Sequence, residues 1–182
     1  MLDFFLNLEQ MLPLLLSQYG TWIYAILFLI IFAETGFVFM FFLPGDSLLI
    51  AVGALCSSSA IIQLHSMGIL LIIAAILGYA VNYYTGKKLG FKYLHRHSRW
   101  MKPEYLSKTN HYFVKHGGKT IILARFIPFV RSFAPFAAGA GEMRFSSFMW
   151  YNTIGSVIWI GVLLSIGYGA GNIFFATLEF IE

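Results

Sequence analysis

Three stretches of this sequence are apolar enough, and with their flanks long enough, to cross a lipid bilayer as helices. Residues 22–33 read WIYAILFLIIFA, residues 67–85 read MGILLIIAAILGYAVNYYT, and residues 148–173 form a third apolar run punctuated by glycine. Roughly 20 residues are needed to cross the hydrocarbon core as a helix. The 182-residue chain is 59% hydrophobic and 11% charged, where a soluble domain carries about 45–50% apolar and about 25% charged residues. No water-excluded core of this size holds the excess, so lipid is the solvent. The expected fold is an all-α integral membrane protein, a single membrane domain over residues 1–182.

Charge is distributed unevenly enough to orient the chain. No Lys or Arg occurs before Lys87, yet nine of the 12 basic residues lie between Lys87 and Lys119, opposed there only by Glu104. The positive-inside rule places loop 87–119 in the cytoplasm. Between two membrane spans this topological reading outweighs nucleic-acid binding. Within the loop, Pro103 and Glu104 start a short helix, with Tyr105, Leu106, Thr109, Tyr112 and Phe113 on one face and Gly117-Gly118 as its stop; it reads as a cytoplasmic amphipathic helix on the inner leaflet. The N-terminus lacks the basic region of a cleaved signal peptide. Residues 2–17 form an N-terminal apolar segment of peripheral character, interrupted by Glu9 and Pro13. Cys56 is the single cysteine, so an intrachain disulfide is excluded and a buried, small apolar role is expected.

The other two apolar segments are broken. Residues 35–59 are interrupted by Pro44, Gly45 and Asp46, and residues 120–141 by Pro128 and Pro135. Proline removes a helical donor and crowds the preceding turn, and glycine loosens the backbone further. Such breaks at membrane depth are tolerated where the backbone lines a cavity, as in a re-entrant hairpin. Each broken segment is followed by a whole span. If both hairpins are re-entrant, the halves form an inverted repeat of hairpin plus transmembrane helix, an arrangement that points to a transport site.

Four ionisable residues sit in or beside these breaks: Glu34, Asp46, Arg125 and Arg131. Each costs about 2.5–3.5 kcal/mol at the bilayer centre on insertion scales, so they are expected to face water or one another. Simpler roles exist for each. Glu34 can mark the interfacial end of a span, Asp46 can cap a half-helix, and Arg125 can snorkel from the cytoplasmic side. Arg131, between the two prolines, is the hardest to explain that way. Two guanidinium groups at a broken helix suit a phosphate; two carboxylates suit proton coupling or a counter-charge. No metal-ligand spacing is visible, and all five histidines lie in or near loops. No metal or cofactor is expected.

The segment LARFIPFVRSFAPFAAGAGEM (123–143) resembles the signature of the DedA family, also called SNARE-associated or VTT-domain proteins. Phe32-Ala33-Glu34 with Phe42-Leu43-Pro44-Gly45-Asp46 resembles the first hairpin of that family. Gly78, Asn82, Tyr83, Gly86 and Gly90 fit its next helix, and Tyr151, Asn152, Gly155 and Trp159 fit its last. The resemblance covers a core from 34 to 172 and carries Glu34, Asp46, Arg125 and Arg131 over as functional residues. Two positions depart from the pattern: Phe129 stands where glycine is usual, and Tyr79 where Asp or Asn is usual.

The resemblance implies lipid translocation in the bacterial inner membrane by a multi-pass protein. Undecaprenyl phosphate is the leading substrate, and association of the family with membrane potential suggests a partnership with protons. Phosphatidylethanolamine or another phospholipid, moved by a flippase or scramblase, is the alternative lipid cargo. A proton-coupled exporter of cations would instead bind its substrate on Glu34 and Asp46. A lipid phosphatase is disfavoured, because no Ser-Gly-His segment occurs and no histidine follows His116; a transporter rather than an enzyme is expected. Glycines in the last span permit a homodimer, but a pure scaffold leaves four intramembrane charges unexplained.

Overall fold

The computed structural model of the chain describes residues 22–40, 45–58, 63–96 and 118–179. The expected N-terminal segment, Pro44 and the amphipathic helix beginning at Pro103 lie outside the described residues. Among the described residues all regular structure is helical: α1 (Trp22–Gly36), a 3-10 turn (Val38–Met40), α2 (Gly45–Ser58), α3 (Leu64–Arg96), α4 (Lys119–Ala124), α5 (Pro128–Ala140) and α6 (Phe145–Glu179). Within α3 and α6, Leu64–Leu89 and Phe145–Phe174 are long and apolar enough to cross a membrane. The span expected at 22–33 is α1, a shorter apolar helix over its described length.

The polarity of the surface fits lipid as the solvent. Ile69, Ile73, Leu77 and Val81 recur every four residues on α3 and are exposed, while Glu34, Asn82, Arg125, Arg131 and Asn152 are buried. A helix in water does the reverse, turning its apolar stripe inward. Extra length in α3 has a simple cause. The span was expected to end at Thr85, but Lys87 and Lys88 continue the helix to Arg96, since basic residues are good helix formers. Charge ends a membrane crossing without ending a helix.

The chain divides into two compact units. One comprises the described parts of Met1–Leu29, Pro44–Leu71 and Ile160–Glu182. Here α2 and the C-terminal half of α6 meet backbone to backbone. A Cβ built on Gly167 would run into the Ile50 carbonyl, one on Gly171 into Ser57 and Ala54, and one on Gly53 into the Leu164 carbonyl. Such small-residue contacts replace the hydrophobic drive that lipid removes. Leu49, Val52, Met67 and Leu164 fill this unit's interior, and Cys56 is buried beside them as expected. Gly161, on the same helix, has no neighbour within 4 Å of such a Cβ among the described residues. Gly167→Ala is therefore expected to destabilise the protein by about 1–3 kcal/mol through overpacking. Gly161→Ala, relieved of glycine's helix penalty, is expected to be neutral or stabilising by up to about 1 kcal/mol. Thermal unfolding in detergent checks both; equal melting temperatures would remove the packing account.

The second unit comprises the described parts of Ile30–Leu43 and Ile72–Trp159. Its core holds Tyr79, Tyr83, Ile121, Ala124, Ala134, Ala138, Met143 and Phe148. Tyr83 stacks on Phe148 with ring centroids 4.6 Å apart, and its hydroxyl donates to the Met143 carbonyl. Gly78 lets α1 approach α3, since a Cβ there would strike Thr35. Gly86 and Gly139 do the same for α3 against α5, facing Phe136 and Tyr83.

The break at 120–141 is partly as expected. Helix α4 ends at Arg125, Ile127 is extended (φ −114, ψ 111), and Pro128 opens α5, the position where its missing N–H is least felt. Helices α4 and α5 pack on each other. Pro135, expected as a second break, is not one: α5 runs through it to Ala140. The ring removes the donor that would reach the Arg131 carbonyl, and the adjacent Ser132 carbonyl accepts from Asn82 Nδ2 at 2.9 Å. A side chain from α3 thus supports the loosened turn. Gly45, also expected in a break, is the first residue of α2, with Asp46 in its first turn.

Candidate functional site

Helix ends and breaks bring three of the four predicted charges together in the second unit. Glu34 lies near the C-terminus of α1, Arg125 caps α4, and Arg131 lies in the first turn of α5. Their relative exposures are 1%, 2% and 5%, so each of the three side chains is enclosed by protein and not turned to solvent. Arg131 Nη2 donates to Glu34 Oε1 in a buried ion pair.

Arg125 is held differently. Its Nη2 donates to Asn152 Oδ1 at 2.6 Å, and Asn152 is itself fixed by donating to the Ile76 carbonyl at 3.1 Å. The guanidinium lies over the Tyr79 ring, 3.8 Å from its centroid, and 5.7 Å from that of Trp159. Arg131 approaches the same Trp159 ring at 5.4 Å. Gly155 makes room for the Arg125 stem: a Cβ there would lie 3.1 Å from its Cδ. Cation–π contact and a neutral amide hold a cation in place without cancelling its charge.

Polar residues of lower profile complete the cluster. Asn82 Nδ2 donates to the carbonyls of Thr35 and Ser132, tying α1 and α5 to α3. Among the described residues, Tyr79 OH, Asn82 Oδ1, Ser132 Oγ and Arg125 Nε are buried without a hydrogen-bond partner. Buried polar atoms are normally satisfied, so a set of donors and an acceptor gathered around two guanidinium groups suits an oxyanion ligand. Sequence reasoning gave Ser132 and Thr35 no part in the site; a hydroxyl next to Glu34 and another next to Arg131 were the available signal. Asp46 belongs to the other unit, half-buried at the start of α2, where the helix dipole favours a carboxylate.

Among the described residues of this unit, the buried charged ones are two guanidinium groups and one carboxylate. Taken as ionised, they leave one positive charge without a carboxylate partner among the described residues. Uncompensated buried charge is costly, and an anion bound at Arg125 would offset it.

Comparison with known proteins bears on the chain as a whole. The family model of the VTT domain matches residues 43–169. Along its full length the chain is similar to protein DedA of Escherichia coli K12, at 47% identity over 184 residues and 82% of that protein. It is 35% identical over 151 residues to inner membrane protein YqjA of the same organism, covering 82% of this chain and 68% of the relative. An uncharacterised membrane protein of Mycobacterium leprae is 37% identical over 147 residues, 79% of this chain and 64% of its own length. No solved structure matches the chain.

Proposed function

We propose, since this chain belongs to the DedA family of VTT-domain membrane proteins, that it is a transporter carrying a lipid phosphate, undecaprenyl phosphate first among them, across the bacterial inner membrane. The observation that carries the reading is Arg125: a fully buried guanidinium whose hydrogen-bond partner is the neutral Asn152. A phosphate monoester supplies the missing negative charge, and guanidinium groups take it in charge-assisted hydrogen bonds.

In this mechanism the headgroup reaches Arg125 and Arg131 at the broken segment 120–141 while its tail stays in lipid, and the basic stretch 87–119 faces the cytoplasm. Arg125 is the resident cation and Arg131 the switchable one. Glu34 occupies Arg131; an arriving phosphate competes for that guanidinium, and protonation of Glu34 releases it. Asp46, at the first break, carries or gates protons. Coupling to protons follows from a carboxylate that alternates between guanidinium and proton. A cation exporter fits less well, because Glu34 is already engaged by Arg131. Phosphodiester lipids would meet the same arginines with one charge fewer.

The test is equilibrium binding of undecaprenyl phosphate to the purified protein in detergent, with phosphatidylethanolamine and uncharged undecaprenol as competitors. Binding that neither competitor displaces at equal concentration is expected. Displacement by undecaprenol as effective as by the phosphate itself would mean the site reads the tail, and the proposal would fall.

A further inference from the structure

Asn82 carries a buried atom that an oxyanion cannot satisfy. Tyr79 OH, Ser132 Oγ and Arg125 Nε, buried without a partner among the described residues, can each donate to an anion; Asn82 Oδ1, equally unpartnered, only accepts. The residue is fully buried. Its orientation is fixed, because Nδ2 donates to the Thr35 carbonyl at 3.2 Å and to the Ser132 carbonyl at 2.9 Å, and a reversed amide would press its oxygen against both. Those carbonyls belong to the residues that follow Glu34 and Arg131 in the chain. Asn82 is therefore anchored one residue from each member of the buried ion pair, with an acceptor to spare.

A carboxylate and its conjugate acid make opposite demands. Ionised, Glu34 accepts, and Arg131 donates to it. Protonated, it carries a hydroxyl that must donate, and a guanidinium has no acceptor. Facing Glu34 are Arg131 of α5 and Tyr79 of α3, with Arg125 of α4 against that tyrosine; α6 adds the neutral Asn152 and Trp159 to the cluster. The Tyr79 hydroxyl can accept, but its own proton would stay without a partner. An amide oxygen has no such second need, and it accepts without taking up the proton itself.

We propose that Asn82 Oδ1 is the partner of the protonated Glu34 carboxyl: on taking up a proton, the Glu34 side chain turns from the Arg131 guanidinium to the Asn82 amide. The proton comes from the aqueous phase and forms the Glu34 O–H. One ion pair breaks, one O–H···O hydrogen bond forms, and Arg131 is left to the phosphate. The inference rests on the proton switch in the reading above and names the acceptor that the switch needs.

The experiment is infrared difference spectroscopy of the purified protein in detergent, stepped from high to low pH. It reads the carbonyl stretch of protonated carboxyl groups, and loss of a band in Glu34→Gln assigns it to Glu34. Donating its hydroxyl lowers the stretch of a carboxylic acid. The wild-type band is expected at the lower frequency of a donating acid, and in Asn82→Leu it should move up toward that of an unbonded one. Proton affinity at Glu34 should fall about 10-fold in that variant, the loss of about one buried hydrogen bond. A residue that only braced the ion pair would do the reverse: its removal would strengthen the hold on the proton and leave the band in place. An unmoved band in Asn82→Leu, or one that moves only in Tyr79→Phe, would overturn the role of Asn82 while leaving the proton switch intact. Should Asn82→Leu not fold, wild-type protein isotopically labelled at the asparagine side-chain carbonyls decides the matter. Labelled carbonyl bands that stay fixed while Glu34 protonates would overturn the inference. No Glu34 band at any pH at which the protein stays folded would remove the proton switch, and this inference with it.

Discussion

Replacing Arg131 by alanine is expected to cost the fold about 3–5 kcal/mol, because it strands the Glu34 carboxylate in the interior without its guanidinium. For a chain of this length that corresponds to a fall in melting temperature on the order of 10 °C. The penalty belongs to the broken pair more than to the arginine. Arg131→Gln combined with Glu34→Gln removes both charges and is expected to recover most of the stability, since a buried ion pair contributes little beyond its neutral replacement. Transport should stay absent in the double variant, which lacks both the switchable cation and the carboxylate that competes for it. Thermal unfolding of Arg131→Gln, Glu34→Gln and the double variant in detergent closes the cycle. If the losses simply add, Glu34 and Arg131 are not energetically coupled and the pair is not the switch.

Arg125→Gln should behave in the opposite way. Its wild-type partners are an amide and two aromatic rings, so removing the guanidinium strands no carboxylate and relieves a buried charge of its desolvation. Stability is expected to hold within about 1 kcal/mol of the wild type. Binding of undecaprenyl phosphate is expected to fall about 100-fold, the loss of about two charge-assisted hydrogen bonds at 1.5–3 kcal/mol each, tempered by the remaining arginine. Arg125→Lys should recover little of this, because an ammonium lacks both the planar fork and the flat face that rests on Tyr79. The two arginines are thereby separated by measurement: one chiefly sustains the fold and the switch, the other chiefly the ligand. A binding titration beside a melting curve decides it, and full phosphate binding by Arg125→Gln would contradict the assignment.

Much of this arrangement was legible before any coordinates, and for a physical reason. Charge inside an apolar run is expensive, so Glu34, Arg125 and Arg131 announced themselves by where they stood, and all three proved buried in one unit. Partner choice was not legible. Arg131 meets Glu34 across 97 positions and Arg125 meets Asn152 across 27; such pairings depend on which helix faces meet, and no local pattern encodes that. Asn82 and Asn152 stood in the sequence as polar residues within spans, but their work as cross-braces between helices became visible only with their backbone partners.

Proline and glycine were over-read in one direction. Pro135 was expected to break its segment, yet one missing donor is tolerable where a side chain from another helix serves the loosened turn, as Asn82 does at Ser132. The glycines of the last helix divide by position. Gly155 accommodates Arg125 and Gly167 admits Ile50, whereas Gly161 and Gly169 meet nothing within 4 Å among the described residues. Residue type marks where close approach is possible; only the geometry says where it is used.

The most direct test of lipid-phosphate translocation is transbilayer movement in proteoliposomes containing undecaprenyl phosphate, read by a membrane-impermeant phosphatase added outside. With wild-type protein, lipid from the inner leaflet should reach the enzyme, so that phosphate release continues well past the outer-leaflet pool. With Arg125→Gln, release should stop at that pool, as in protein-free vesicles. Release by the wild type that also stops there, or by Arg125→Gln that proceeds as far as the wild type, would contradict a translocation site built on these arginines.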